Sequence, residues 1–171
     1  MKLQLERLTP HHPVHAFDCG TSPAGHAIGA FLREQALTEQ AAGWSATTVA
    51  VDLDAQETKR QLAGFYTLAP LGLRADTAVL AALGLGGRYP QVGGYLLGRL
   101  GVAGHLQRRG LGALLVERAI DAASRARTVG GGAFLAVDAK TEALVAWYLG
   151  LDYGFFRLSP DRPRLVLRLP G

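Results

Sequence analysis

A single cysteine, Cys19, leaves the chain without an intramolecular disulfide or a cysteine-based metal cluster. No apolar run reaches the roughly twenty residues that span a bilayer. The start, Met1-Lys2-Leu3-Gln4-Leu5-Glu6-Arg7, also lacks the continuous apolar stretch of a signal peptide, so a cytoplasmic protein is expected. Lysine is scarce, at three residues against fifteen arginines. A P-loop needs Gly-Lys-Ser/Thr at its end, and the one comparable stretch, from Gly104, carries Arg109 and Gly110 where Gly and Lys should be. The dinucleotide fingerprint fails too: Gly84-Leu85-Gly86-Gly87-Arg88-Tyr89 lacks the third glycine and leads into Pro90 rather than a helix. His11, His12 and His15 flank Pro13 in a polar turn, and no metal is assigned.

What is present suits one globular domain over residues 1–171, with 49% hydrophobic and 19% charged residues. The net charge is +4 and arginine-dominated. Arginine binds phosphate through planar, bidentate contacts, so an anionic partner fits, although fourteen acidic residues share the same chain.

Alternation over residues 3–8 predicts a strand, and the apolar stripe Ala27, Ile28, Phe31, Leu32 and Ala36 predicts a helix that residues 37–42 extend. Residues 47–53 and 61–69 read as antiparallel strands joined by a polar turn over residues 54–59. Residues 75–83 form a short helix or a strand edge, and residues 84–94 a glycine-rich loop. A strand at 95–102, a helix at about 111–127 with Leu111, Leu114, Leu115, Ala119 and Ala122 on one face, and a buried strand at 133–137 make a parallel βαβ unit. A helix at 141–149 and a hairpin of residues 154–158 and 164–169 complete an α/β chain with a mixed sheet.

Between the strand ending at Val102 and the helix beginning at Leu111 stands Gln107-Arg108-Arg109-Gly110-Leu111-Gly112. A loop that opens a helix leaves backbone N–H groups unpaired and pointing one way, and glycines let a phosphate approach them. The run reads as a cradle for a diphosphate. Glycines at such a junction also arise from packing alone.

With this run, the chain resembles the GCN5-related N-acetyltransferases (GNATs) over nearly its full length. Leu97-Gly98-Arg99-Leu100-Gly101-Val102 followed by Gln107 to Gly112 resembles that family's acyl-CoA motif; residues 133–139 resemble the strand that opens the pantetheine cleft. Ala146-Trp147-Tyr148 with Gly154-Phe155 resembles its tyrosine-bearing helix. Phe17-Asp18-Cys19-Gly20, Phe31-Leu32-Arg33-Glu34-Gln35-Ala36, Leu62-Ala63-Gly64-Phe65-Tyr66-Thr67-Leu68 and Val137-Asp138-Ala139-Lys140 are similar to runs in the acetyltransferase toxins of bacterial toxin–antitoxin pairs. The spacer from Gly20 to Phe31 is longer than in that branch, and about two extra residues separate Tyr148 from the Gly-Phe pair.

The resemblance implies a central mixed sheet of six to seven strands flanked by helices. It also implies acetyl-CoA as cosubstrate, the α-amino group of an aminoacyl-tRNA as acceptor, a ribbon-helix-helix antitoxin and a homodimer. Its site would use the N–H groups of Gln107, Arg108, Arg109, Gly110, Leu111 and Gly112 for the pyrophosphate. Backbone around Leu100, Gly101 and Val102 would hold the thioester, with Gly101 marking a bulge, and Tyr148 would be the proton donor, with Tyr153 as the alternative. Tyr148 also reads as a core aromatic beside Trp147. Arg33, Arg74, Arg88 and Arg99 are the candidate tRNA contacts. Glu34, Asp138 and Glu142 are simpler as solvated or capping acids, and no general base is assigned. Two other readings stand beside this one: an ordinary acetyltransferase for a protein amino terminus or small amine, and a non-catalytic acyl-CoA-binding or partner-binding module.

Overall fold

The computed structural model describes residues 1–54 and 60–170; residues 55–59 of the expected polar turn lie outside the described residues. Seven strands form one mixed sheet in the order β1-β2-β3-β4-β5-β7-β6, with helices on the connections. The strands are β1 (Leu3–Arg7), β2 (Ala46–Asp52), β3 (Gln61–Arg74), β4 (Gln91–Val102), β5 (Phe134–Asp138), β6 (Phe156–Arg157) and β7 (Arg164–Arg168). The helices are α1 (Pro23–Glu34), α2 (Ala36–Ala41), α3 (Thr77–Leu83), α4 (Leu111–Gly130) and α5 (Glu142–Gly150). No described helix is long and apolar enough to cross a membrane. Contacts divide the chain into two compact units: residues 1–68 with 99–116, and residues 69–98 with 117–171.

In the first unit, β1 pairs antiparallel with β2, and β2 with β3. The register slips between Ala50, opposite Gly64, and Val51, opposite Leu62, so Ala63 is an extra residue on β3. Close packing calls for glycine at Gly101, where a Cβ would stand 2.7 Å from Ile28 Cγ2 and 2.8 Å from Phe65 Cε1. Helix α1 starts four residues ahead of the apolar stripe, because Ser22 caps it, Oγ accepting from Gly25 N at 3.0 Å, and Pro23 suits the first turn. Phe31 and Leu32 on its inner face are buried. Phe65 is fully buried between Phe31, stacked at 6.4 Å, and Phe17, edge-on at 5.6 Å.

In the second unit, β4 and β5 run parallel, Tyr95 opposite Leu135, as a βαβ unit requires. Strand β7 pairs antiparallel with both β5 and β6. Residues 77–83 are a helix: Asp76 accepts from Val79 N at 2.9 Å at its start, and Gly84 closes its end in the left-handed conformation at φ 63°. Strand β4 begins at Gln91 rather than after a loop, its Gly94 lying directly against Phe134. The core here is Leu73, Leu83, Phe134, Ala136 and Val166. On α4 the buried positions are Leu111, Leu115, Val116, Ala119 and Ala123; Leu114 and Ala122 are only half-buried.

Candidate active site

Strand β4 ends at Val102, a 3-10 turn covers Gly104–Leu106, and α4 starts at Leu111, which leaves residues 107–110 as the loop between them. Leu111 and Gly112 lie in the first turn of α4 and so have no acceptor four residues back within the helix. Their N–H groups face the end where the helix dipole is positive. Gly110 holds φ 83°, and a Cβ placed there would meet nothing within 4 Å. Backbone conformation, not space, therefore calls for glycine at this position. Arg108 adopts φ 59°, which is uncommon for a residue with a side chain and a point where the loop stores strain. Arg108 and Arg109 are both exposed.

The loop is tied down from beneath. Gln107 Nε2 donates to Cys19 O at 2.8 Å and to Val102 O at 3.1 Å. The Cys19 thiol donates to Val102 O at 3.3 Å, and burial pushes its pKa up. Gly104 N donates to Asp18 O, and Ala103 N donates to the bulge carbonyl of Ala63, each at 2.9 Å. The Phe17-Asp18-Cys19-Gly20 run thus anchors the start of the loop that opens α4, a role that no local pattern in the sequence shows. A cleft of about 650 Å³ opens in the same unit, with Phe17, Leu62 and Ala103 among its apolar walls and His11, His105 and Arg60 among its polar ones. His12 is turned inward instead, with Nδ1 accepting from Thr9 N at 3.0 Å and Nε2 3.1 Å from Glu6 Oε2. Among the described residues no group of His, Cys, Asp and Glu is placed to hold a metal.

Around the strand end, Val102 and Gly101 are buried and Leu100 half-buried. Of the arginines, Arg33 is committed, its Nη1 donating to Phe17 O at 3.1 Å. Arg99 lies over the Phe31 ring at 5.1 Å, and in the second unit Arg88 lies 5.9 Å from the centre of Tyr89. Arg74 ends β3, exposed.

In the second unit, Thr141 caps α5 by accepting from Leu144 N at 3.1 Å, which fixes the helix that carries Tyr148. Tyr148 is 6% exposed, edge-on to Trp147 at 4.8 Å and to Phe155 at 5.6 Å. Burial alone pushes its phenol up to about 12. The extra residues after α5 are absorbed where Asp152 turns left-handed at φ 58°, ahead of Gly154 at φ 98°. Tyr153 is 36% exposed. The acids are engaged: Asp138 accepts a fork from Arg164, both contacts 2.7 Å, and is held below the ordinary carboxylate range by it. Glu142 pairs with Arg157 at 2.6 Å.

The raised phenol has a measurable consequence. Below pH 10 Tyr148 is protonated in both folded and unfolded chains; between 10 and about 12 only the unfolded chain loses its proton, so stability falls as pH rises. The loss from this group reaches roughly 2–3 kcal/mol by pH 12. Denaturant midpoints of wild type and Tyr148→Phe should diverge between pH 9 and pH 11, the wild type falling faster; parallel profiles would refute the assignment.

No protein-family model matches the chain. Solved structures do, over nearly its whole length. A tyrosine-to-phenylalanine mutant of KacT aligns with TM-score 0.81 at 23% identity, covering 99% of this chain and 96% of that one. AtaT complexed with acetyl-methionyl-tRNAfMet aligns with TM-score 0.80 at 23% identity, covering 98% and 95%. A tyrosine-to-phenylalanine mutant of the AtaT toxin, bound to the C-terminus of the antitoxin AtaR and acetyl-CoA, aligns with TM-score 0.74 at 22% identity, covering 98% and 93%. With its seven-stranded mixed sheet flanked by helices, the chain has the GNAT fold that KacT and AtaT share.

Proposed function

We propose that this protein is an acetyl-CoA-dependent N-acetyltransferase toxin that acetylates the α-amino group of an aminoacyl-tRNA and so blocks translation. The observation that carries the reading is the anchored loop of residues 107–112 at the start of α4, in a fold matched end to end by AtaT with acetyl-methionyl-tRNAfMet. Acetyl-CoA supplies the activated acyl group. The N–H groups of Arg108, Arg109, Gly110, Leu111 and Gly112 hold its pyrophosphate, and the open space over Gly110 admits it; the Gln107 N–H donates instead to Gly104 O at 3.4 Å. Backbone at Leu100, Gly101 and Val102, with the Val102 N–H foremost, holds the thioester carbonyl.

Tyr148 donates its phenolic proton to the departing sulfur. A phenol near 12 and a thiol near ~8.5 are further apart than the same groups in water. A dry site raises the thiol as well, which narrows the gap. No general base is invoked: an α-amino group with a pKa of ~8 is already partly neutral, and Asp138 and Glu142 are tied to arginines. Arg74, Arg88 and Arg99 contact tRNA phosphates, with Arg33 contributing chiefly through its hold on Phe17. The chain acts as one domain over residues 1–171, as a cytoplasmic homodimer restrained by a ribbon-helix-helix antitoxin.

Transfer of labelled acetyl from acetyl-CoA to a mixture of charged tRNAs tests the reading, with peptides and small amines as competing acceptors. Label on peptides or amines alone would make it an ordinary acetyltransferase, and acetyl-CoA binding without transfer a silent module. Replacing Gly110 with alanine should weaken acetyl-CoA binding about fivefold, since strain of about 1 kcal/mol falls on the φ 83° conformation. Calorimetric titration reads this directly, and unchanged affinity would remove Gly110 from the cradle.

A further inference from the structure

Gln107 is exposed as a residue, yet its carboxamide points inward and spends both hydrogens on main-chain oxygens, Cys19 O at 2.8 Å and Val102 O at 3.1 Å. Cys19 closes the ring, its thiol donating to the same Val102 oxygen at 3.3 Å. The peptide group between Val102 and Ala103 is then held at both ends: its C=O accepts from Gln107 and Cys19, and its N–H donates to Ala63 O at 2.9 Å. The acceptor is not arbitrary, since Ala63 is the extra residue of the β3 bulge. Two residues downstream of Val102, Gly104 N donates to Asp18 O, so the same loop also fixes the turn that leads into the cradle.

We infer that Gln107 and Cys19 are positioning residues that lock the Val102–Ala103 peptide and thereby set the end of β4 for acyl transfer. The inference rests on the proposed acetyltransferase reading. A carboxamide whose donors are both used on the main chain offers none to a phosphate, so the Gln107 side chain acts on geometry, and its backbone N–H turns back to Gly104 O at 3.4 Å. With the 102–103 peptide unable to rotate, the preceding peptide, which carries the Val102 N–H, keeps one orientation. Misplacement of such a donor by a fraction of an ångström lowers the rate of the chemical step more than it weakens binding of the remote nucleotide.

The test separates these effects. With acetyl-CoA and charged tRNA, Gln107→Ala should lower kcat about tenfold or more, while the calorimetric Kd for coenzyme A changes less than threefold. The isosteric Gln107→Glu, which turns an oxygen toward two carbonyl oxygens, should be at least as damaging. Cys19→Ser, which keeps a donor, should retain most of the activity that Cys19→Ala loses. Unchanged kcat in Gln107→Ala, or a loss of coenzyme A affinity matching the loss of kcat, would overturn the inference, the second by making the side chain a ligand. Wild-type protein inactive on charged tRNA would refute the aminoacyl-tRNA reading instead. The clamp would then be decided by NMR hydrogen exchange: slow carboxamide protons on Gln107, with an Ala103 amide that speeds up in Gln107→Ala, support it, and fast carboxamide protons overturn it.

Discussion

Tyr148→Phe should reduce acetyl transfer to charged tRNA by roughly 10²-fold or more while leaving acetyl-CoA affinity and folding near wild type. The ring is what packs: its contacts with Trp147 at 4.8 Å and Phe155 at 5.6 Å survive loss of the hydroxyl. What disappears is the proton that the proposed mechanism gives to the leaving thiolate. A phenol held near 12 stays protonated throughout the working range, so wild-type kcat should show no alkaline fall from this group below about pH 11. Rates measured at saturating acetyl-CoA, with the Kd measured separately, distinguish a lost proton donor from a lost binding contact. Retained activity in Tyr148→Phe together with a collapse in Tyr153→Phe would transfer the role across the left-handed turn at Asp152.

The second large effect concerns Gly64. A Cβ there would stand 2.7 Å from Gly101 O and 2.8 Å from Leu115 Cδ1. A leucine side chain can move aside, but a strand carbonyl cannot do so without shifting the strand it belongs to. Gly64→Ala should therefore cost about 3 kcal/mol, the upper part of the range for overpacking, and lower Tm by about 6–12 °C. Gly86→Ala makes the control, because a Cβ at Gly86 meets nothing within 4 Å and its φ is not left-handed. That change should leave Tm unaltered or slightly higher. Equal Tm values for the two variants would show that the close approach of β3 to the end of β4 is not under steric control. Activity should fall further than stability in Gly64→Ala, since Gly64 adjoins the Ala63 carbonyl that holds Ala103.

Local signals gave the strands, the parallel βαβ unit and the position of the loop that opens α4, because periodicity, β-branching and glycine placement act over a few residues. Ser22-Pro23 was a readable start signal for α1, a cap followed by a first-turn proline, but it lies outside the apolar stripe that defines the helix face. The start of β4 was not legible: glycines at 93 and 94 look like a loop until Phe134, forty residues away, fills the space that a side chain would take. The Gln107 carboxamide gave no signal at all. Its partners are Val102, five residues back, and Cys19, eighty-eight back, and nothing local distinguishes a glutamine that binds main chain from one that faces solvent. The same holds for Arg33, whose commitment to Phe17 O depends on how α1 folds over the preceding loop.

Neither compact unit is a continuous stretch of chain, because each takes one early and one late segment. Emerging from the ribosome, the first unit lacks the end of β4 and the start of α4 until residue 116 has been made. Strand β5 waits for β7, at residues 164–168, before its second edge is paired. Interrupted synthesis or an early stop codon anywhere before that last strand thus yields a chain with an open sheet edge. The last strand to be made is therefore also the one that closes the second edge of β5.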